Sequence, residues 1–317
     1  MDNSTQATSA QAAHATQSLV SALLPARLRQ VTSPTVESSP SVHQPGEAQS
    51  CRLFATFMRQ ALRLLTGNPN NQVLPEAAAA LERLDYYLPF RELAPSRRQI
   101  LSSPNGPFSA TNVRTPSGLF SALVFRGILF DTDALRAGGH SFCFDDDAAF
   151  DAYLSRIAKP ERYFCNPSAY GATKGRSTKN ATTFWKASAA LAARLQDNIG
   201  FFEFIKYVSS STEYPTFGKL CAYLLAVDLV YAGAIAQPTV EELGTVVEWL
   251  DMGAAKTLKR LRCAPGGVKG GFVALCKYLA DGGLSASERA EMSSRFTFDV
   301  EHGLCKYGRF YPLAKDS

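Results

Sequence analysis

Asp228 is the carboxylate whose neighbours ask most of it. It falls near the middle of an apolar stripe formed by Phe217, Leu220, Cys221, Leu224, Leu225 and Leu229, spaced as one face of a helix. A carboxylate left bare on such a face costs on the order of several kcal/mol, so it must be paired or hydrogen-bonded. Two roles stand open. It is an acid, base or electrostatic partner with a perturbed proton affinity, or it is a buried mate for an arginine such as Arg126, or a capping group. A second stretch, LDMGAAKTLKRL (Leu250–Leu261), repeats the plan of a turn followed by a helix. Its turn is Asp251-Met252-Gly253, and the helix that follows carries Lys256, Lys259, Arg260 and Arg262. Helix N-termini present free N–H groups, so two glycine-opened helices, one at Gly218-Lys219 and a basic one at Gly253, suit an anionic backbone.

Further side chains with chemical reach lie elsewhere. Near the C-terminus, Asp299, His302, Lys306 and Arg309 share one helical face, which either meets solvent or lines a cleft. Asp145-Asp146-Asp147 reads as an acidic helix start that complements the dipole, and also invites a metal. Aromatics in Tyr163–Gly171 precede the basic loop Lys174–Asn180, KGRSTKN. Lys174 and Arg176 there are positioned to contact phosphate while a ring stacks a base; an ordinary exposed loop is the other reading. The four histidines and scattered cysteines show no zinc spacing, so no metal and no cofactor is expected. Gly266-Gly267-Val268-Lys269-Gly270-Gly271 lacks the spacing of a phosphate-binding loop and reads as a turn.

The elements that must position these groups are helical. The apolar content of 46% supports a sizeable core across 317 residues, and the charged fraction of 19% is too low for a wholly disordered chain. The net charge of +5 permits nucleic acid without demanding it. Seven cysteines, an odd number without a CxxC pair, read as reduced thiols and an intracellular location, the nucleus included. No run is long and apolar enough for a membrane span, and Asp2 without a basic leader argues against a secretory signal. Residues 1–50, rich in Ser, Thr, Gln, Ala and Pro, read as a disordered tail.

Helical spacing then predicts Cys51–Leu65, Glu76–Leu88, Ser117–Phe130 with Arg126 in its midst, a helix from the aspartate run to Ile157, Phe184–Leu195 and Gly200–Ser209. Asp131 and Asp133 read as caps, and Gly138-Gly139-His140 as a turn. Arg91–Asn112, broken by Pro95, Pro104, Gly106 and Pro107, reads as a loop or short hairpin, with Arg97 and Arg98 solvated.

Taken in order, LVFRGILFDTDAL (Leu123–Leu135), NPSAYG (Asn166–Gly171), TFGKLCAYLLAVDLVYAG (Thr216–Gly233), LDMGAAKTLKRL (Leu250–Leu261) and DVEHGLCKYGRF (Asp299–Phe310) resemble a known pattern. It is that of the alpha-glutamyl/putrescinyl thymine pyrophosphorylase family, a branch of the helix-hairpin-helix DNA glycosylase superfamily. The resemblance spans roughly residues 115–312. It implies an all-α, glycosylase-like fold acting on modified thymine or 5-hydroxymethyluracil in DNA. By position, Asp228, Asp299 and His302 fall where the family's catalytic pattern lies, with Gly253 and Cys305 on its motifs. The chain departs from the pattern at Leu224, at Asp251-Met252, at Lys306 and at Gly308. Loss of acidic groups leaves room for a descendant that binds without turnover.

The expectation is therefore a tail (1–50), a helical extension (51–115) and an all-α, helix-hairpin-helix glycosylase-like domain (116–317). The expected partner is DNA bearing a modified pyrimidine, held by Lys174, Arg176, Gly218, Lys219, Gly253, Lys256, Lys259 and Arg260. A structural alternative is a viral coat or nucleocapsid subunit that packages nucleic acid, and a helical scaffold is a third.

Overall fold

The computed structural model describes residues 45–66, 88–93, 95–101, 103–129, 142–156, 176–263, 266–292 and 295–310. Every regular element among them is helical. None of these helices is long and apolar enough to cross a membrane. The readings of a disordered tail before Pro45, of Glu76–Tyr87, of Asp131 and Asp133, of Gly138-Gly139-His140, and of Tyr163–Gly171 with Lys174 lie outside the described residues.

The first described helix, α1 (Pro45–Thr66), starts ahead of the expected boundary at residue 50. Its rings Phe54 and Phe57 pack on Tyr307, at 5.8 and 5.3 Å between centroids. Residues of the expected extension and of the expected glycosylase-like segment thus enter one hydrophobic core.

Where a loop or hairpin is expected, a 3-10 turn (Arg91–Leu93) leads into α2 (Pro95–Leu101). Pro95 acts here as an initiator, because proline at a first helical position lacks only an N–H that has no partner anyway. The expected solvation of Arg97 is also corrected, since it is 1% exposed. Its guanidinium lies over the Phe108 ring at 4.9 Å and near Tyr231 at 5.7 Å.

Helix α3 (Pro116–Val124) opens on Thr115, whose hydroxyl accepts from the Gly118 N–H at 3.0 Å. It ends in a π turn, Phe125–Leu129, that carries Arg126. Helix α4 (Asp147–Ser155) is capped by Asp146, which accepts from the Ala149 N–H at 2.7 Å. Helices α5 (Asn180–Gln196) and α6 (Phe201–Ser210) follow; α5 packs on α3.

At the centre runs α7 (Lys219–Tyr231), with Gly218 as its N-cap residue. The sequence suggests one apolar stripe, yet every residue from Cys221 to Val230 is buried. A helix that is apolar all round belongs in the interior, and the small residues Ala222 and Ala226 let neighbours close on the remaining faces. Full burial stabilises each leucine or valine by about 1.5–3 kcal/mol, which favours sinking the helix provided Asp228 finds partners.

Beyond it lie α8 (Val240–Leu250), α9 (Gly253–Arg260), α10 (Gly267–Tyr278) with a π turn at Leu279–Gly283, α11 (Ala286–Glu291) and α12 (Phe296–Phe310). Thr239 caps α8, accepting from the Glu242 N–H at 3.1 Å. Helix α8 stops where Asp251 turns left-handed, at φ 49°. The expected glycine turn before Phe272 is instead the first turn of α10, which begins at Gly267. Helix α8 packs on α10, and α9 packs on α12. Six cysteines lie among the described residues, and Cys51 and Cys263 place their sulfurs 3.7 Å apart.

Candidate functional site

The crossing of α9 and α12 builds the wall of a cavity. A Cβ on Gly253 would come within 2.9 Å of the Cys305 sulfur, and one on Gly308 would strike the Thr257 hydroxyl. The absence of these two side chains lets the helices touch. Helix α9 begins at this contact without a capping side chain on Met252. Met252, Gly253, Ala254 and Ala255 line the cavity, so the positive end of the helix dipole opens into it.

The space measures about 260 Å³. Its apolar side comes from α7 and α8, through Leu220, Leu224, Val247 and Leu250. Its cations come from five other elements: Arg91 in the 3-10 turn, Arg97 in α2, Arg126 in the π turn, and others in α9 and α12. The last two helices supply Lys256, Arg260, Lys306 and Arg309. Against them, among the described residues, stands one lining carboxylate, Glu301. Arg91, Arg97, Arg126 and Lys306 are buried, whereas Lys256 and Arg260 stand exposed at the rim; gathering like charges in this way is unfavourable, and an anion is the complement that relieves it.

Two of these cations are fixed from behind. Asp228, 0% exposed, receives the Nε–H of Arg126 on Oδ2 and its Nη2–H on Oδ1, the latter at 2.6 Å. Arg97 approaches the same Oδ1 at 2.8 Å, as an ion pair rather than a well-aligned hydrogen bond. The backbone around Arg126 is held too, since its carbonyl accepts from Arg176 at 3.0 Å and from the Cys221 thiol at 3.4 Å. One carboxylate thus anchors two guanidiniums that form part of the cavity wall.

Glu301 is 4% exposed. Its Oε2 accepts from the Tyr223 hydroxyl at 2.7 Å, tying α12 to the central helix, and its Oε1 accepts from the Cys305 thiol at 3.5 Å. Burial raises the proton affinity of this carboxyl above the usual carboxylate range; Arg91 and the Tyr223 hydrogen bond oppose the shift. The Tyr223 hydroxyl and the Cys305 thiol are both pushed up, chiefly by burial.

His302, next along α12, moves the other way. Burial and the charges of Arg91, Lys306 and Arg309 hold it well below the ordinary imidazole range, although a hydrogen bond to the Pro89 carbonyl favours its proton. Its Nδ1 is buried without a hydrogen-bond partner among the described residues. The result is a neutral imidazole on a cationic wall.

Of the catalytic candidates in the sequence, His302 lines the cavity, Asp228 sits behind the two arginines, and Asp299, fully buried, lies outside the lining. Of the binding candidates, Gly253, Lys256 and Arg260 line it. Lys219 instead lies over Trp249 at 4.3 Å and donates to its carbonyl at 2.8 Å, next to the N-cap Gly218. Lys259 pairs with Asp251 on the surface at 2.7 Å, and Arg176 braces the π turn. Sequence reasoning missed Arg91, Arg97, Tyr223 and Glu301. Among the described residues no three His, Cys, Asp or Glu side chains cluster as they would to hold a metal ion.

Fold and site together define an all-helical protein with a cationic, one-sidedly apolar cavity at a helix N-terminus. No family model matches this chain, and no curated protein or solved structure does.

Proposed function

We propose that this chain is a DNA-acting protein that receives a single modified pyrimidine nucleotide in the cavity between α7, α8, α9 and α12. The observation that supports the reading is the division of the lining. Leu220, Leu224, Val247 and Leu250 offer an apolar face for a base, while Lys256, Arg260, Lys306 and the N-terminus of α9 offer a cationic face for its phosphate. An extruded nucleotide has that same two-sided chemistry, and enzymes that act on bases must take them out of the stack. Helix α8 passes into α9 through a short turn at Asp251 and Met252, and the glycosylase resemblance reads this helix pair as its helix-hairpin-helix. In this reading His302 is the acceptor facing the base, and Asp228 positions Arg97 and Arg126 and does not itself touch the reacting atoms.

Binding of the full chain to duplex DNA, carrying thymine or 5-hydroxymethyluracil at one position, tests it across about 50 to about 200 mM salt. Phosphate contacts release counterions, so affinity should fall steeply with salt, and the modified duplex should bind more tightly. Binding that ignores both salt and base would sink the proposal.

A further inference from the structure

We infer that Glu301 is the cavity's built-in counter-anion, and that an entering phosphate displaces its charge by making it take up a proton. The inference rests on the cavity being the ligand site proposed above. Among the described residues, Glu301 is the one carboxylate lining a cationic space. It is held there by Tyr223 from α7 and faces Arg91 from the 3-10 turn. His302, Cys305 and Lys306 flank it on its own helix, while Lys256 and Arg260 of α9 line the same cavity. Its ionised form depends on neighbouring cations, because burial alone favours the neutral acid.

A phosphate that occupies the cavity draws on those same cations. Its negative charge also stands close to the carboxylate, in surroundings where water screens little. Both effects raise the proton affinity of Glu301 further. The proton comes from solvent and ends on a carboxyl oxygen, with no other bond made or broken. Once neutral, the carboxyl offers an O–H donor to the ligand and keeps an oxygen to accept from Tyr223.

The consequence is proton-linked affinity. Ligand binding should tighten as pH falls, by up to about tenfold per pH unit for one coupled proton. His302 faces the same ligand and, being held neutral, would also gain a proton, so the two contributions must be separated. Glu301→Gln copies the neutral acid in shape and still accepts from Tyr223.

The test is calorimetric titration of the full chain with the 5-hydroxymethyluracil duplex, in buffers of different ionisation heat, between about pH 5 and about pH 8. Wild type, Glu301→Gln and His302→Gln are compared. The expected result is net proton uptake by wild type and reduced uptake by Glu301→Gln. At about pH 8 the Glu301→Gln variant should bind several-fold more tightly than wild type. Uptake and affinity unchanged in Glu301→Gln would overturn the inference while leaving the cavity reading in place. Failure of wild type to bind the duplex at any pH would overturn both.

Discussion

Arg126 and Asp228 stand 102 residues apart in the chain and meet in a buried, two-point ion pair. Arg97 joins the same carboxylate, so a single negative charge holds two guanidiniums that the interior would otherwise reject. Asp228→Asn keeps the shape and removes that charge. Breaking a buried pair by deleting one partner typically costs about 3–5 kcal/mol, and a loss of this order is expected in urea denaturation. A loss below about 1 kcal/mol would show that the triad contributes little to stability.

Gly253 and Cys305 set how closely α9 approaches α12. Gly253→Ala places a methyl group within 2.9 Å of the sulfur, so the helices must part or the thiol must turn. Overpacking of this kind costs about 1–3 kcal/mol. The double variant Gly253→Ala/Cys305→Ala should recover most of the loss, which a double-mutant cycle by denaturant titration reads directly. Additive losses would mean that the contact does not govern the crossing.

The pH dependence of stability follows from two neighbours shifted in opposite senses. His302 has a folded-state proton affinity below its unfolded one. It contributes nothing above the unfolded value of about 6.5; below it the unfolded chain binds the proton first, and stability falls as pH falls. Glu301 has a raised folded-state proton affinity. Its contribution is fully favourable below the unfolded value of about 4.3 and is lost as pH rises through the folded one. Chemical denaturation across pH should therefore show a shallower acid limb in His302→Gln and a smaller loss toward alkaline pH in Glu301→Gln. Limbs identical to wild type in both variants would contradict the assigned shifts.

Lys256 and Lys259 are one helical turn apart but differ in role. Lys256 lines the cavity, whereas Lys259 is spent on Asp251 at the surface. Charge reversal at Lys256 should reduce duplex affinity by about tenfold or more, a loss of about 1.4 kcal/mol. Reversal at Lys259 should act weakly, through general repulsion that salt screens. Filter binding separates the two, and equal effects would place the DNA on the outer face of α9.

How much of this was readable in the chain depends on the range of the interaction. Local signals carried well. Gly218 opening α7, Pro116 opening α3 and Asp146 capping α4 are short-range choices, and the helices start there. Arg126 as a mate for Asp228 was legible from a long cation and a carboxylate each set among apolar residues. Arg97 was not, because the Pro and Gly around it read as breakers, although Arg97, Ile100 and Leu101 hold helical spacing.

Glu301 escaped for a geometric reason. The polar face drawn through Asp299, His302, Lys306 and Arg309 runs beside a second row, Glu301, Cys305 and Gly308, spaced four and three residues apart. The cavity takes the second row and most of the first, leaving Asp299 outside. Only the crossing of α9, a tertiary contact, decides that. Helix α8 had a signal of its own, Thr239 followed three residues later by Glu242, which the apolar run of its neighbours obscured.

The claim at the centre is that the nucleotide enters the cavity and does not merely lie on a basic surface. Leu220→Trp measures this most directly, because it fills the apolar side and leaves every lining cation in place. This variant should still bind duplex DNA with steep salt dependence but no longer prefer 5-hydroxymethyluracil over thymine. A variant that keeps the full preference with the cavity filled would contradict it.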